Sequence, residues 1–430
     1  MRQIESVGVI GMGYVGLPLV AGFARAGLRV VGVDIDPAKC ERLNAGESYI
    51  ERVTSDTLKK LVASGRFGAT TDHAKLGDVD AICICVPTPI DDARAPDLTA
   101  VKETAHRVGG SLQRGQLVVL ESTTYPGTTD EVVKPILEER SGLSAETDFL
   151  LAFSPEREDP GNKAFNVTNI PKVVGGFTPP ATEAAAALYG KVAPSVVPVA
   201  SARVAEATKM LENTYRAVNI ALVNELKVIF QRLGINIWDV IEAAKTKPFG
   251  FHAFTPGPGM GGHCIPVDPF YLSFKAKTLG EEARFIELAG QVNVEMPRYV
   301  VERLARALDR RGKPLSRSSV FLLGAAYKPD IDDDRESPFY EIADILEGRG
   351  ATVTYHDPHI PRIRPTRHHK LVLESSPLTA ETLSRADAVV IVTNHSDFDP
   401  AFIVKNAQLV VDTRNLTGGL TEGHDKIVVA

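Results

Sequence analysis

The chain has 430 residues, 44% of them hydrophobic and 24% charged, which is nearly three domains at roughly 150 residues each and ample material for packed cores. Forty-eight Lys and Arg against 54 Asp and Glu leave a net charge of −6, so neither nucleic acid nor an anionic membrane is expected as a partner. Four cysteines are too few for a disulfide scaffold, none is spaced for zinc, and no apolar run approaches the roughly 18 residues of a spanning helix. A cytoplasmic protein with reduced thiols, no secretory leader and no metal is expected.

In chain order, residues 6–10 read as a short buried strand, followed by Gly11-Met12-Gly13-Tyr14-Val15-Gly16 and a helix to about Ala26. A second strand, Arg29 to Val33, ends at Asp34. The strand–helix alternation continues through Ala81–Val86, Gln116–Glu121 and Phe149–Phe153, as in a parallel, doubly wound sheet. From about Ala202 to Leu233 apolar residues recur at helical spacing without Gly or Pro. A helix of that length joins domains or builds a dimer interface. A Gly/Pro-dense loop, Phe249 to Pro269, follows, and helices resume to about Arg310. Strands at Ser319–Leu323, Thr352–Tyr355, Ala388–Val392 and Leu409–Val411, with a helix at Glu341–Arg349, form a second α/β region. The expected fold is therefore α/β, with two Rossmann-like doubly wound domains joined by a long central helix and helical segment. The expected divisions are 1–200 for the nucleotide domain, 201–310 for the connector and 311–430 for the smaller domain.

Gly11, Gly13 and Gly16 match a dinucleotide turn. The first permits the tight turn, the second admits a pyrophosphate, and the third lets helix and strand pack closely. The helix start supplies unpaired N–H groups for phosphate. Asp34, 18 residues after Gly16, can accept ribose hydroxyls and would repel a 2′-phosphate, which favours NAD over NADP. In the loop Pro256-Gly257-Pro258-Gly259-Met260-Gly261-Gly262-His263-Cys264-Ile265-Pro266-Val267-Asp268-Pro269, Cys264 is either a small buried hydrophobe or a nucleophile needing a cationic neighbour to form thiolate. Lys209 and Asn213 share one helix face at i, i+4, either as solvated groups or as partners of that thiol.

Together these segments resemble the UDP-glucose/GDP-mannose dehydrogenase family of nucleotide-sugar 6-dehydrogenases over essentially the whole chain. The resemblance is carried by Gly11–Pro18, Val86-Pro87-Thr88-Pro89, Glu121–Thr128, Phe153-Ser154-Pro155-Glu156-Arg157 and Glu206–Lys209 with Glu212–Tyr215. The cysteine loop, Ala326-Tyr327-Lys328-Pro329 and Asp333–Pro338 complete the set. It implies oxidation of a sugar C6 alcohol to a carboxylate with two NAD per substrate. An aldehyde cannot release a second hydride until it gains a tetrahedral oxygen, so Cys264 forms a thiohemiacetal and then a thioester.

By the same resemblance Lys209 and Asn213 stabilise oxyanion charge, Asp268 handles water, Glu156 is the base of thioester hydrolysis and Thr123 helps hold water. NAD contacts are implied for Gly11, Gly13, Tyr14, Val15, Gly16, Asp34, Pro87, Thr88, Thr123 and Arg335. Substrate contacts are implied for Glu156, Arg157, Lys209, Asn213, Gly261, His263, Lys328 and Arg414. Forms specific for UDP-glucose tend to read G-G-S-C-x-P-K-D with an aromatic after the base; His263, Val267 and Arg157 depart from this. The chain is thus similar to the UDP-N-acetylhexosamine branch, particularly the UDP-N-acetylglucosamine 6-dehydrogenases, with UDP-N-acetylmannosamine and UDP-glucose as alternatives. A two-electron 6-phosphogluconate/hydroxyacid-type dehydrogenase shares the domain order but has no use for Cys264. A homodimer or higher homo-oligomer through the central helix is expected.

Overall fold

The computed structural model describes residues 3–50, 52–91, 94–158, 169–262, 265–366 and 368–430. The chain folds as two units, Met1–Glu212 with Phe270–Glu281, and Asn213–Pro269 with Glu282–Ala430.

In the first unit, among the described residues, eight strands form one sheet: β1 (Ser6–Ile10), β2 (Arg29–Val33), β3 (Phe67–Thr70), β4 (Ala81–Ile84), β5 (Leu117–Leu120), β6 (Leu150–Phe153), β7 (Lys172–Gly176) and β8 (Val196–Pro198). Their order is β3-β2-β1-β4-β5-β6-β7-β8, parallel throughout except between β6 and β7. The order reverses between β1 and β4, the place where such sheets open a crevice for a ligand beyond the strand C-termini. Alternation decides what each face buries. Ala81 and Cys83 of β4 join a core with Leu188 and Tyr189, whereas Ile82 and Ile84 join another with Val101 and Ala105. Helix Gly16–Arg25 covers the first face with Leu17, Leu19, Val20 and Phe23, each worth on the order of 1.5–3 kcal/mol when fully buried.

In the second unit the described residues give a five-stranded parallel sheet in the order β10-β9-β13-β14-β15, with β9 (Ser319–Leu323), β10 (Thr352–His356), β13 (Ala388–Ile391), β14 (Val410–Asp412) and β15 (Ile427–Val429). β11 (Arg362–Ile363) and β12 (Leu373–Glu374) pair antiparallel beside it. Val320 and Leu322 face a core with Phe339 and Tyr355, while Phe321 and Leu323 face Leu383 and Ile403.

Helix Ala202–Arg232 runs 31 residues from the first unit into the second and stops before Gly234, which has φ +74°. No helix among the described residues is long and apolar enough to cross a membrane. Two boundaries differ from the sequence reading, each for a local reason. β4 ends at Ile84 because Ser122 Oγ accepts the Val86 N–H at 2.9 Å and donates to the Val86 carbonyl at 2.8 Å, drawing the chain off the ladder. The helix expected from Glu341 starts at Pro338, since Ser337 caps it and proline suits the first helical position.

Candidate functional site

The glycine turn of the first unit shows why each glycine is there. Gly11 has φ +91°, and a Cβ on it would lie 2.2 Å from the Cys85 carbonyl oxygen. A Cβ on Gly16 would lie 1.9 Å from the Gly11 oxygen. Both are forced by close backbone approach. Gly13 is different, because a Cβ there would meet nothing within 4 Å. The fold leaves that space open, as a turn that cradles a pyrophosphate must. Val15 precedes the helix without a side-chain cap, and the first turn holds no acidic residue, so its N–H groups suit an anion.

Asp34 is buried at the end of β2. Its Oδ2 accepts the Met12 N–H at 2.9 Å and its Oδ1 the Asp36 N–H at 3.1 Å. Each oxygen keeps a further lone pair for a ribose hydroxyl. Tyr49 holds the turn from below through a 2.7 Å bond to the Met12 carbonyl. Beyond β4, Pro87 is exposed and Thr88 buried, with the Thr88 carbonyl accepting the Tyr271 hydroxyl. Thr123 lies partly buried just past β5, and Tyr14 is exposed. This set fits NAD.

The same strand ends carry a charged cluster. Glu156, past β6, turns Oε1 to the N–H groups of Arg157 (2.8 Å) and Glu158 (2.6 Å) and Oε2 to Lys172 Nζ at 3.4 Å. Lys172 also meets Glu121 Oε2 at 2.8 Å, and the Tyr189 hydroxyl donates to the other Glu121 oxygen. Lys209 Nζ donates to the Glu156 carbonyl at 2.6 Å. Burial pushes the Glu156 carboxyl up, but Lys172, the Glu158 N–H and Lys209 outweigh it and hold the group below the usual range. Burial wins at Glu121, whose carboxyl is raised despite Lys172. Arg157 forks onto Glu212 at 2.6 and 3.3 Å, so it is not the ion-pair partner of its neighbour Glu156. Glu206, one turn before Lys209, accepts the Gly127 and Thr129 N–H groups and is pushed up to about 7 by burial.

In the second unit Asn213 Nδ2 donates to Asp268 Oδ2 at 2.5 Å, both residues being buried. Gly261 and Gly262 pack on Tyr327: a Cβ on either would come within 2.7 Å of its side chain, and the Gly262 N–H donates to the Arg335 carbonyl at 3.0 Å. The glycine loop and the 327–336 segment, distant in sequence, are thus in contact. His263 and Cys264 lie outside the described residues. The Arg335 guanidinium forks onto Asp333 at 2.8 and 2.6 Å, and Lys328 is partly buried.

Arg414 Nε donates to the Val392 carbonyl at 3.0 Å, and burial brings the guanidinium down to about 10. A Cβ on Gly257 would lie 2.4 Å from Arg414 Nη1. Both polar groups of the Gly257 peptide are held from one helix face, the N–H by Asn224 Oδ1 at 2.9 Å and the carbonyl by Lys227 Nζ at 3.2 Å. Burial and the neighbouring Arg414 and Arg303 bring Lys227 down to about 7. Asp330, His359 and His395 gather possible ligand atoms within 4.8 Å of one another. His395, however, uses both ring nitrogens, Nδ1 accepting the Asp330 N–H and Nε2 facing Asp357, each at 3.0 Å.

Sequence reasoning missed Lys172, Glu121 as its partner, Glu206, Asn224 and Lys227. A lysine opening the apolar run Lys172-Val173-Val174, and Asn224 with Lys227 at i, i+3 on the inward helix face, are the signals that were available. The remaining cysteines, Cys40, Cys83 and Cys85, are free thiols raised by burial and hence poor nucleophiles.

Comparison with known proteins bears directly on this arrangement. Models of the UDP-glucose/GDP-mannose dehydrogenase family match in three segments: its NAD binding domain at residues 5–193, its central domain at 203–295 and its UDP binding domain at 321–419. A UDP-N-acetyl-D-glucosamine 6-dehydrogenase of Pseudomonas aeruginosa is 36% identical over 399 residues, covering 93% of this chain and 92% of that one. An NDP-N-acetyl-D-galactosaminuronic acid dehydrogenase of Ralstonia nicotianae is 36% identical over 424 residues, 96% of each chain. Among solved structures, a UDP-D-ManNAc dehydrogenase of Pyrococcus horikoshii matches with a TM-score of 0.87 at 32% identity over 96% of both chains.

Proposed function

The chain belongs to the UDP-glucose/GDP-mannose dehydrogenase family and is an NAD-dependent nucleotide-sugar 6-dehydrogenase, and we propose that the sugar nucleotide it oxidises is UDP-N-acetyl-D-glucosamine. The observation that carries the amino-sugar reading is the trio Arg157, His263 and Val267, which replaces the aromatic, serine and lysine of UDP-glucose-specific forms. A 2-acetamido group needs more room than a hydroxyl, and Val267 puts a short apolar side chain beside Asp268. Relatives named for different amino sugars are about equally similar, so the epimer is a matter for assay.

In this reading residues 1–200 hold NAD, 201–310 carry the cysteine loop, and 311–430 hold the UDP-sugar with Lys328 and Arg414. Conversion of the C6 alcohol to a carboxylate consumes one water and two NAD and releases two NADH and three protons. Bound NAD supplies the hydride acceptor for both oxidations. Cys264 adds to the C6 aldehyde and makes the carbon tetrahedral, and its thioester is later hydrolysed. Lys209, with one proton committed to the Glu156 carbonyl, has two more to donate to the C6 oxygen. Asn213, its amide oriented by Asp268, donates from one helical turn further on. Ionised Glu156 takes the proton of the hydrolytic water, which Thr123 helps to hold.

Initial rates with UDP-N-acetylglucosamine, UDP-N-acetylmannosamine, UDP-N-acetylgalactosamine and UDP-glucose test the substrate, and preference for UDP-glucose refutes the amino-sugar reading. NADH formed per sugar should be two; a ratio near one overturns the thioester route in favour of a two-electron dehydrogenase. Cys264→Ser should abolish turnover yet leave NAD binding by calorimetry unchanged. The unpaired thiols of Cys40, Cys83 and Cys85 suit the reducing cytoplasm.

We also place a second copy of the chain along helix Ala202–Arg232. Val204, Leu211, Tyr215, Leu222, Ile229 and Leu233 are 43% to 69% exposed. At 100° per residue their spacings of four and seven put them on one narrow stripe, the pattern of a helix face that packs on a partner.

A further inference from the structure

Lys172, the first residue of β7, is a buried cation shared between two carboxylates that strands β5 and β6 deliver to the same place. It is 5% exposed, and its Nζ lies 2.8 Å from Glu121 Oε2 and 3.4 Å from Glu156 Oε2. Glu121 has a second tether in Tyr189, whose ring lies under the same ammonium at 5.1 Å. The position of Lys172 is therefore fixed from behind, by strand register and by Glu121. Glu156 is the looser member, at a loop start, and Lys172 is the side chain that holds its Oε2.

We propose that Lys172 is a positioning residue for the dehydrogenase reaction: it holds the Glu156 carboxylate in its charged form and in place, so that Glu156 can accept a proton during thioester hydrolysis. This rests on the assignment of Glu156 as the hydrolytic base. The groups facing Glu156 are Lys172 from β7, Lys209 from the long helix, Glu121 from the end of β5 and Cys85 from the end of β4. The N–H groups of Arg157 and Glu158 complete its surroundings. Cys85 is raised well above its ordinary range by burial and Glu121 is raised too, so the two ammonium groups decide the balance. They keep Glu156 below the usual carboxylate range in spite of its burial. Lys209 touches only the backbone carbonyl of Glu156, which leaves Lys172 as the cation on the carboxylate itself.

A structural salt bridge and a positioning residue predict different results for a neutral replacement. Lys172→Gln keeps hydrogen-bond donors for both carboxylates and removes the charge, while Lys172→Arg keeps the charge. The assay is NADH formation from UDP-N-acetylglucosamine across pH 5.5–9, with folding checked by circular dichroism and by NAD binding. Loss of an adjacent opposite charge raises a carboxyl by about 1–3 units. The acid limb of kcat in Lys172→Gln should therefore move up by about one pH unit or more, giving at least a tenfold loss at the acid end that recovers toward pH 9. Lys172→Arg should keep the wild-type limb. Adding Lys172→Gln to Glu156→Gln should cost nothing further in kcat.

A folded Lys172→Gln enzyme with the wild-type pH profile, or a further loss in the Glu156→Gln background, overturns the proposal while leaving the base assignment intact. Should the glutamine variant fail to fold, Lys172→Met is the second neutral replacement. The wild-type enzyme compared with Glu156→Gln is decisive without either. If the acid limb persists when Glu156 is amidated, Glu156 is not the titrating base, and both the assignment and the proposal fall.

Discussion

Gly13→Ala separates the fold of the glycine turn from its use. A Cβ at Gly13 meets nothing within 4 Å, and its φ is not in the left-handed region. The folded state should accept the methyl group, and the loss of glycine's freedom in the unfolded chain should stabilise the protein by about 0.4–1 kcal/mol. The same empty volume is where a pyrophosphate must come if the Gly11–Gly16 turn holds NAD. A methyl group forced into that contact costs about 1–3 kcal/mol, which is roughly a 5- to 150-fold weaker Kd. Gly16→Ala is the control of opposite sign, because its Cβ would lie 1.9 Å from a backbone oxygen that cannot swing away. It should lower stability by more than about 2 kcal/mol. Thermal melts with and without NAD, together with calorimetric titration, read both quantities. Gly13→Ala should melt at or slightly above the wild type and lose most of the NAD-dependent rise. Wild-type NAD affinity in that variant, or a lowered melting temperature without ligand, refutes the reasoning.

Leu222→Glu, at 51% exposed in the middle of the helix stripe, should give a monomer by sedimentation at micromolar concentration where the wild type is at least a dimer; an unchanged mass removes the stripe from the interface. Lys227 makes a prediction in pH. Its folded pKa of about 7 lies below the ordinary lysine value, so between the two the unfolded chain binds the extra proton and stability rises with pH. The cost of burying the charge is fully present below about pH 7 and is relieved above it. Relative to Lys227→Met, the wild type should therefore gain roughly 3 kcal/mol between pH 7 and pH 9 at 1.36 kcal/mol per unit. Urea unfolding of both proteins at the two pH values measures this, and parallel stabilities contradict the depressed lysine.

The parts that were legible in the sequence are those whose cause is local. β1, β2 and β9 are short apolar runs bounded by turn residues, and they fold over the residues expected of them. The long helix could be read from the absence of Gly and Pro. β7 could not, because it opens with Lys172 and closes on two glycines, a poor strand pattern that neighbouring strands override. β3 (Phe-Gly-Ala-Thr) and the three-residue β15 carry too little apolar alternation to stand out. In the site, the glycine turn and Asp34 follow a spacing rule. The charged cluster does not, since Lys172 meets Glu121 across 51 residues and Glu206 meets Gly127 across 79. The pairing of Glu156 with Arg157, plausible from adjacency, gives way to Arg157 with Glu212 across 55 residues, because a side chain pairs with whatever the fold brings near.

Lys172 and Lys227 show how far identical side chains diverge once buried. Burial lowers both. At Lys172 the carboxylates of Glu121 and Glu156 reverse that effect and raise the ammonium above its ordinary range, so it is a permanent cation. At Lys227 the neighbours are Arg414 and Arg303, which add to burial and bring it down to about 7. Glu206 reaches about 7 from the opposite direction, a carboxylate raised because its three donors are neutral. Near neutral pH, then, the groups changing charge include Lys227, which clamps the glycine loop, and Glu206, which fixes the Gly127 turn. Glu156 lies below that range. A neutral-pH transition in activity that survives Glu156→Gln should therefore be traced to these two clamps, and the acid limb to Glu156 under the charge of Lys172.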